Sequence, residues 1–154
     1  MIPIKPFRQK AGYCGAASLK MVLDYYGIDI TERKLARLSG SSRSKGVPAK
    51  NLIKAAKKLG LTGFYKDYSS LRDIIRYVSK GIPVIVDWFS EIDGHYSVVT
   101  GIDKENIYLQ DPQLGHLRAL KLKTFKKIWF DFAQPMLRTK NDIIIRRMIV
   151  IKRE

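Results

Sequence analysis

The sequence has one cysteine, Cys14, and two histidines, His95 and His116. A single cysteine cannot form an internal disulfide or a thiolate-rich zinc site, and two histidines give little support to a dedicated metal centre. We therefore predict that the protein uses neither a metal nor another cofactor. Any thiol or imidazole chemistry must rest on these three side chains.

Long apolar runs are also missing, since none approaches the roughly 20 residues that span a bilayer. The first residues, MIPIKPFRQK, lack the apolar run and the small-residue cleavage site of a signal peptide. The 154 residues, 45% of them apolar, nevertheless suit one domain with a hydrophobic core. We expect a single domain over residues 1–154, located in the cytoplasm.

Acidic residues are scarce: 14 Asp and Glu face 29 Lys and Arg, for a formal net charge of +15. From Arg43 to Lys58 the chain has cations and no acid at all, and residues 138–154 are basic as well. Such a field attracts nucleic acids, anionic membranes and acidic peptides. No zinc-finger, homeodomain or RNP-type motif accompanies the charge, so polyanion binding is an alternative that we do not favour over a solvated basic surface.

The first half of the chain has the spacing and the stop signals of helices. Apolar residues recur at three- and four-residue intervals, and a glycine follows each segment. Thr31 and Ser70 are suitable N-caps, and Pro48 suits a first helical turn. Four helices are predicted: 15–26, one from Thr31 through Leu38, one from Pro48 to Leu59, and one from Ser70 through Lys80.

The second half is richer in β-branched residues and predicts strands. We place strands at 82–88, 95–102, 106–110 and 143–151, the last interrupted by two arginines, with a short helix at 123–129. Helices first and antiparallel strands later indicate an α+β fold with a helical N-terminal lobe and a β-sheet C-terminal lobe. A cleft between two such lobes is a natural place for a site.

Cys14 precedes a helix that begins with small residues, in the stretch QKAGYCGAA. The unpaired N–H groups and the dipole at a helix amino end favour an anion, here the thiolate. Small neighbours leave room for the backbone of a substrate. A buried, inert thiol is the alternative that this segment alone leaves open.

A thiolate nucleophile works beside a general base, and a base needs an orienting group. His95 begins a strand and is the leading base, ahead of His116 in the loop after Pro112. Asp111 ends the next strand and can reach the same end of the sheet, although Asp93 and Asp103 are rival carboxylates.

An acyl transfer also needs donors for the oxyanion. The backbone N–H of Cys14 is one candidate, and the side-chain amide of Gln9, just upstream, is the other. Gln9 taken by itself is equally an ordinary polar loop residue.

QKAGYCGAASLKMVLDYYG resembles the amino-terminal signature of the papain-like cysteine peptidases that remove double-glycine leaders from bacteriocin precursors, the peptidase C39 family. GHYSVVTGIDKENIYLQDPQLG is similar to the histidine and aspartate blocks of that family, and the likeness covers residues 6–131. The chain has no membrane segment or Walker-type loop, and Tyr13 stands where exporter-linked members commonly carry aspartate. It therefore resembles a stand-alone member.

The resemblance implies a papain-like fold and a cysteine peptidase that cuts after a small, Gly-Gly-like pair. Cys14 would be the nucleophile, His95 the base and acid, Asp111 the orienting residue and Gln9 the oxyanion donor. The implied partners are a peptide or protein substrate and an ABC exporter. Two other functions stay open at this point: a peptidase-like module that grips a peptide without cutting it, and a polyanion-binding protein.

Overall fold

A computed structural model describes residues 1–44, 46–91, 93–134 and 136–154. Five helices are present in these ranges: α1 Cys14–Tyr25, α2 Glu32–Ser39, α3 Ala49–Lys58, α4 Leu71–Val78 and α5 Leu122–Ile128. The strands are β1 Thr62–Lys66, β2 Val84–Ser90, β3 Asp93–Ile102, β4 Asn106–Asp111, β5 His116–Lys121, β6 Phe130–Phe132, β7 Ile143–Ile145 and β8 Arg147–Lys152.

Six of the strands form one antiparallel sheet in the order β1-β8-β2-β3-β4-β5, and β6 pairs with β7 separately. The α+β prediction is confirmed. The sheet is wider than predicted, because β1 comes from the half expected to be helical and β5 from a segment expected to be a loop. His116, placed in that loop by the sequence, begins β5 instead.

The sheet carries helices on both faces. On one face, α1, α2 and α3 pack against apolar side chains of the central strands, namely Ile85, Tyr96, Val98, Ile149 and Ile151. On the other face, Ile74 of α4 and Phe125 of α5 pack against Val84, Val86, Val99, Leu109 and Val150. Period-two alternation divides the side chains of β2, β3 and β8 between these two cores.

The helix caps lie largely where the sequence predicts them. Thr31 caps α2 by accepting a hydrogen bond from Lys34 N, and Ser70 with Asp73 forms a reciprocal capping box on α4. Pro48 is the N-cap of α3, one residue before the first turn in which it was expected. None of the helices within the described ranges combines the length and the apolarity needed to cross a bilayer.

Candidate active site

Cys14 is the first residue of α1, whose amino end no side chain caps. The first N–H groups of a helix have no partner inside it, so α1 presents free donors beside the sulfur. The thiol is free and half-buried. Gly15 allows this placement, because a Cβ there would lie 2.3 Å from Cγ1 of Val47 and 3.2 Å from the Tyr96 ring.

His95 and Asp111 meet across neighbouring strands. The β3–β4 register aligns Val98 with Gln110, so His95 and Asp111 are diagonal neighbours on one face of the sheet. His95 Nε2 lies 2.5 Å from Asp111 Oδ1. Both side chains are buried, at 5% and 1% exposure, which keeps water away from this bond.

Further bonds hold the Asp111 carboxylate. The Gln113 N–H donates to Oδ1 and Arg118 Nη1 donates to Oδ2, each at 3.0 Å. Burial raises the pKa of Asp111. The hydrogen bonds from His95 and Arg118 lower it by more than burial raises it, so the pKa of Asp111 lies below its usual range. The carboxylate is therefore charged and oriented when it meets the imidazole.

The His95 imidazole also has Cys14 within hydrogen-bond reach. Since Nε2 faces Asp111, Nδ1 is the nitrogen left for the sulfur. Burial lowers the pKa of His95, yet the bonds to Asp111 and Cys14 raise it more strongly, to about 9. These contacts favour a cationic imidazolium between the Cys14 sulfur and the Asp111 carboxylate.

Gln9 lies in the loop before α1, tied to the segment that follows Asp111. Its backbone N–H donates to the carbonyl of Pro112 at 2.8 Å. The side-chain oxygen Oε1 is buried and has no hydrogen-bond partner among the described residues. An amide with its oxygen held inside the protein suits a role in which its N–H₂ group serves a ligand.

A second acid pair lies near the sulfur. Asp87 of β2 is almost fully buried and shares a hydrogen bond with Asp131 of β6, and both its burial and that bond raise its pKa well above the usual range. The charge of Cys14 acts on Asp87 in the same direction. The Asp131 carboxylate lies against Gly94, where a Cβ would come within 2.0 Å of Oδ1. A side chain in place of Gly94 would therefore displace the Asp131 carboxylate from this position.

The structure thus brings Cys14, His95 and Asp111 together and places Gln9 beside the Asp111 turn. The rival residues lie elsewhere: Asp103 accepts a bond from the Tyr108 hydroxyl, and Asp93 and His116 are exposed. The sequence analysis missed Arg118, Asp87 and Asp131. Arg118 follows His116 at the two-residue spacing of a strand, a signal that recognition of β5 would have supplied.

Residues 1–135 match the Peptidase_C39 like family. An uncharacterized protein of Methanothermobacter marburgensis is 36% identical over 126 residues, which are 79% of this chain and 80% of that protein. The lactococcin-G-processing and transport ATP-binding protein LagD of Lactococcus lactis is 29% identical over 124 residues. The match covers 80% of this chain and only 17% of LagD.

Solved structures share the fold. The peptidase domain of Streptococcus ComA, a bifunctional ABC transporter involved in quorum sensing, superposes with a TM-score of 0.77 at 22% identity, covering 98% of this chain and 99% of that domain. A double-glycine-motif protease from an AMS/PCAT transporter, solved with its leader peptide, gives 0.74 at 24% identity, covering 99% and 94%. With the family match over most of its length, the chain belongs to the Peptidase_C39-like family.

Proposed function

We propose that this protein is a cysteine peptidase with Cys14 as its nucleophile. One observation carries the proposal: the imidazole of His95 has the Asp111 carboxylate 2.5 Å from Nε2 and the Cys14 sulfur within hydrogen-bond reach. Membership of a peptidase family supports it further.

The proposed reaction begins with attack of the Cys14 thiolate on the carbonyl carbon of a peptide bond. The oxyanion would accept hydrogen bonds from the Cys14 N–H, which is free at the start of α1, and from the Gln9 amide. Protonated His95 would then give its proton to the leaving amine, leaving a thioester. Neutral His95 would next take a proton from water, and the resulting hydroxide would release the acid and restore the thiolate.

Asp111 would orient this ring and stabilise its charge without taking the proton itself. Its depressed pKa supports that role, because a carboxyl that stays ionised can accept from Nε2 throughout the cycle. Arg118 and the Gln113 N–H would keep the carboxylate in place.

The proposed substrate is a peptide with small residues before the cut, such as a Gly-Gly pair at the end of a leader. Two relatives support this class: a double-glycine-motif protease solved with its leader peptide, and LagD, a lactococcin-G-processing and transport protein. We propose that the chain acts in the cytoplasm and that an ABC exporter is its partner for export. LagD joins processing to transport in one much longer protein.

The test is cleavage of a synthetic peptide panel, followed by mass spectrometry. Each peptide carries Gly-Gly, Gly-Ala or Ala-Gly before the cut, with Val-Val as the large-residue control. We expect cleavage of the small-residue peptides, and losses of about 10³-fold or more for Cys14→Ala and His95→Ala. The proposal fails if the wild-type protein and both variants leave every peptide intact, and peptide binding without cleavage would favour a binding module.

A further inference from the structure

A cavity of about 510 Å³ lies away from Cys14, between the turn before α4 and the end of α5. Its volume falls within the range of ligand pockets, and it shares no residue with the candidate active site. It is lined by Tyr68, Ser69, Ser70, Leu71, Arg72, Lys126, Trp129 and Arg146.

Of the residues that the structure describes, three cations and no acid line this cavity: Arg72 of α4, Lys126 of α5 and Arg146 between β7 and β8. Across the described ranges none of the three forms an ion pair with an acid. The acids nearest in sequence are engaged by other cations, since Asp73 pairs with Lys66 and Asp67 with Arg147. Three cations that line one cavity without a counter-charge favour an anionic ligand.

Arg146 is held rigidly at the cavity. Its Nε donates to the carbonyl of Ser69 at 2.8 Å, and its guanidinium carbon lies 6.0 Å from the centre of the Tyr68 ring. Both residues have positive φ, +46° for Arg146 and +56° for Tyr68, a conformation that costs energy for a non-glycine side chain. Two backbone hydrogen bonds join these segments, because the N–H groups of Tyr68 and Ser69 donate to the carbonyls of Ile145 and Arg146.

The cavity also offers aromatic surface. The Tyr68 side chain is 69% exposed, so one ring face is free, and the buried Trp129 forms part of the wall. A planar base stacks well on such a ring, and guanidinium groups match the oxygens of a phosphate. The cationic and the aromatic side chains therefore line the same cavity.

We propose that this cavity binds a nucleoside monophosphate, with its phosphate between Arg72, Lys126 and Arg146 and its base against Tyr68. Such binding would be a function additional to peptide cleavage and independent of it. The arrangement distinguishes it from general attraction to the basic surface, because the cavity combines aromatic and cationic side chains, and one of the cations, Arg146, is anchored to Ser69.

The first test is calorimetric titration of the full chain with AMP, adenosine, ribose 5-phosphate and inorganic phosphate. We expect AMP to bind most tightly, ribose 5-phosphate more weakly because it lacks the base, and adenosine least because it lacks the charge. Adenosine binding as tightly as AMP, or no binding of AMP at all, would overturn the proposal.

The second test compares two charge-matched double variants. Arg72→Gln with Lys126→Gln removes two cavity cations, and Arg76→Gln with Lys127→Gln removes two exposed cations from the same helices outside the cavity. We expect the cavity pair to weaken AMP binding about tenfold per cation removed, and the control pair to change it less than about twofold.

Tyr68→Ala tests the stacking separately. It should weaken the binding of AMP about fivefold or more and leave the binding of ribose 5-phosphate unchanged.

Equal weakening of AMP binding by the two double variants would show attraction to surface charge only and would contradict the proposal. Binding of an RNA oligomer with no binding of AMP would contradict it as well.

Discussion

The charge of His95 depends on Asp111 of β4 and Cys14 of α1, and Arg118 of β5 acts on it through Asp111. Asp111 accepts at Nε2, Arg118 holds Asp111, and Cys14 faces the other side of the ring. Arg118 also packs over Trp88, 5.4 Å from its ring, and Trp88 meets His95 edge to face. Arg118 therefore contacts both Asp111 and Trp88, two of the side chains that pack against the His95 ring.

Arg118→Gln tests this positioning role. We expect kcat to fall about tenfold with little change in KM, because the residue acts on the orientation of Asp111 and not on substrate binding. Arg118→Lys should restore part of the rate, since it keeps the charge but loses the planar fork. Lys121→Gln on the same strand removes an exposed cation and is the control. Equal rates for Arg118→Gln and the control would show that Arg118 has no such role.

Gly15→Ala tests the close approach at the start of α1. The new methyl would meet the stiff Val47 side chain, so we expect a loss of about 1–3 kcal/mol in the free energy of unfolding, measured by urea denaturation. Adding Val47→Ala removes the atom in the way, and the double variant should show a favourable coupling energy. Purely additive effects would mean that the helix tolerates a side chain at this position.

At the scale of elements, β2 and β6 meet through two acids, the buried Asp87 and the partly exposed Asp131. Asp87 is held protonated beside Asp131, whereas an unfolded chain would release that proton at ordinary acidic pH. A pKa raised by folding means that stability falls as the pH rises above about 4. The contact between these two strands therefore has a stability cost at neutral pH.

Asp87→Asn removes that cost and keeps the shape. We expect the variant to exceed the wild type in unfolding free energy by about 1 kcal/mol or more at pH 7, with the gap closing near pH 3. Urea denaturation across this pH range measures it. A variant that is less stable at pH 7 by the same margin as at pH 3 would contradict the protonated state of Asp87.

Part of the fold and of the candidate site could be predicted from the sequence, and part could not. The helices were predicted because caps such as Thr31 and Ser70 act locally, and the His95–Asp111 pair because two strands joined by a short turn must be neighbours. β1 and β5 were missed, since both are edge strands whose polar, partly exposed residues lack an apolar alternation. Arg118 was missed with β5, and Asp131 because its contact with Asp87 joins residues far apart in the chain.

For the whole molecule, the end of the chain completes the sheet. β8 lies between β1 and β2, and its Met148–Ile151 side chains are buried in both cores. The basic segment 138–154, which the sequence leaves as a strand or an extension, therefore contributes a central strand to the fold.

Truncation tests this dependence on β8. A chain ending at Asp142 lacks both β7 and β8. It should lose the cooperative thermal transition in calorimetry, because β1 and β6 lose their strand partners and four buried apolar side chains are removed. A chain ending at Lys152 removes only two exposed residues and should keep that transition. Cooperative unfolding of the shorter chain would show that the remaining strands form the sheet unaided.

The central claim is that an imidazolium at His95 holds Cys14 as a reactive thiolate. The direct measurement is the rate of alkylation by iodoacetamide at pH 6 for the wild type, His95→Gln and a free cysteine derivative. Because His95 keeps its proton up to about pH 9, we predict a wild-type rate at least about tenfold above the free thiol, nearly constant from pH 6 to 8. His95→Gln should lose this advantage, and a wild-type protein that reacts no faster than the free thiol would contradict the account.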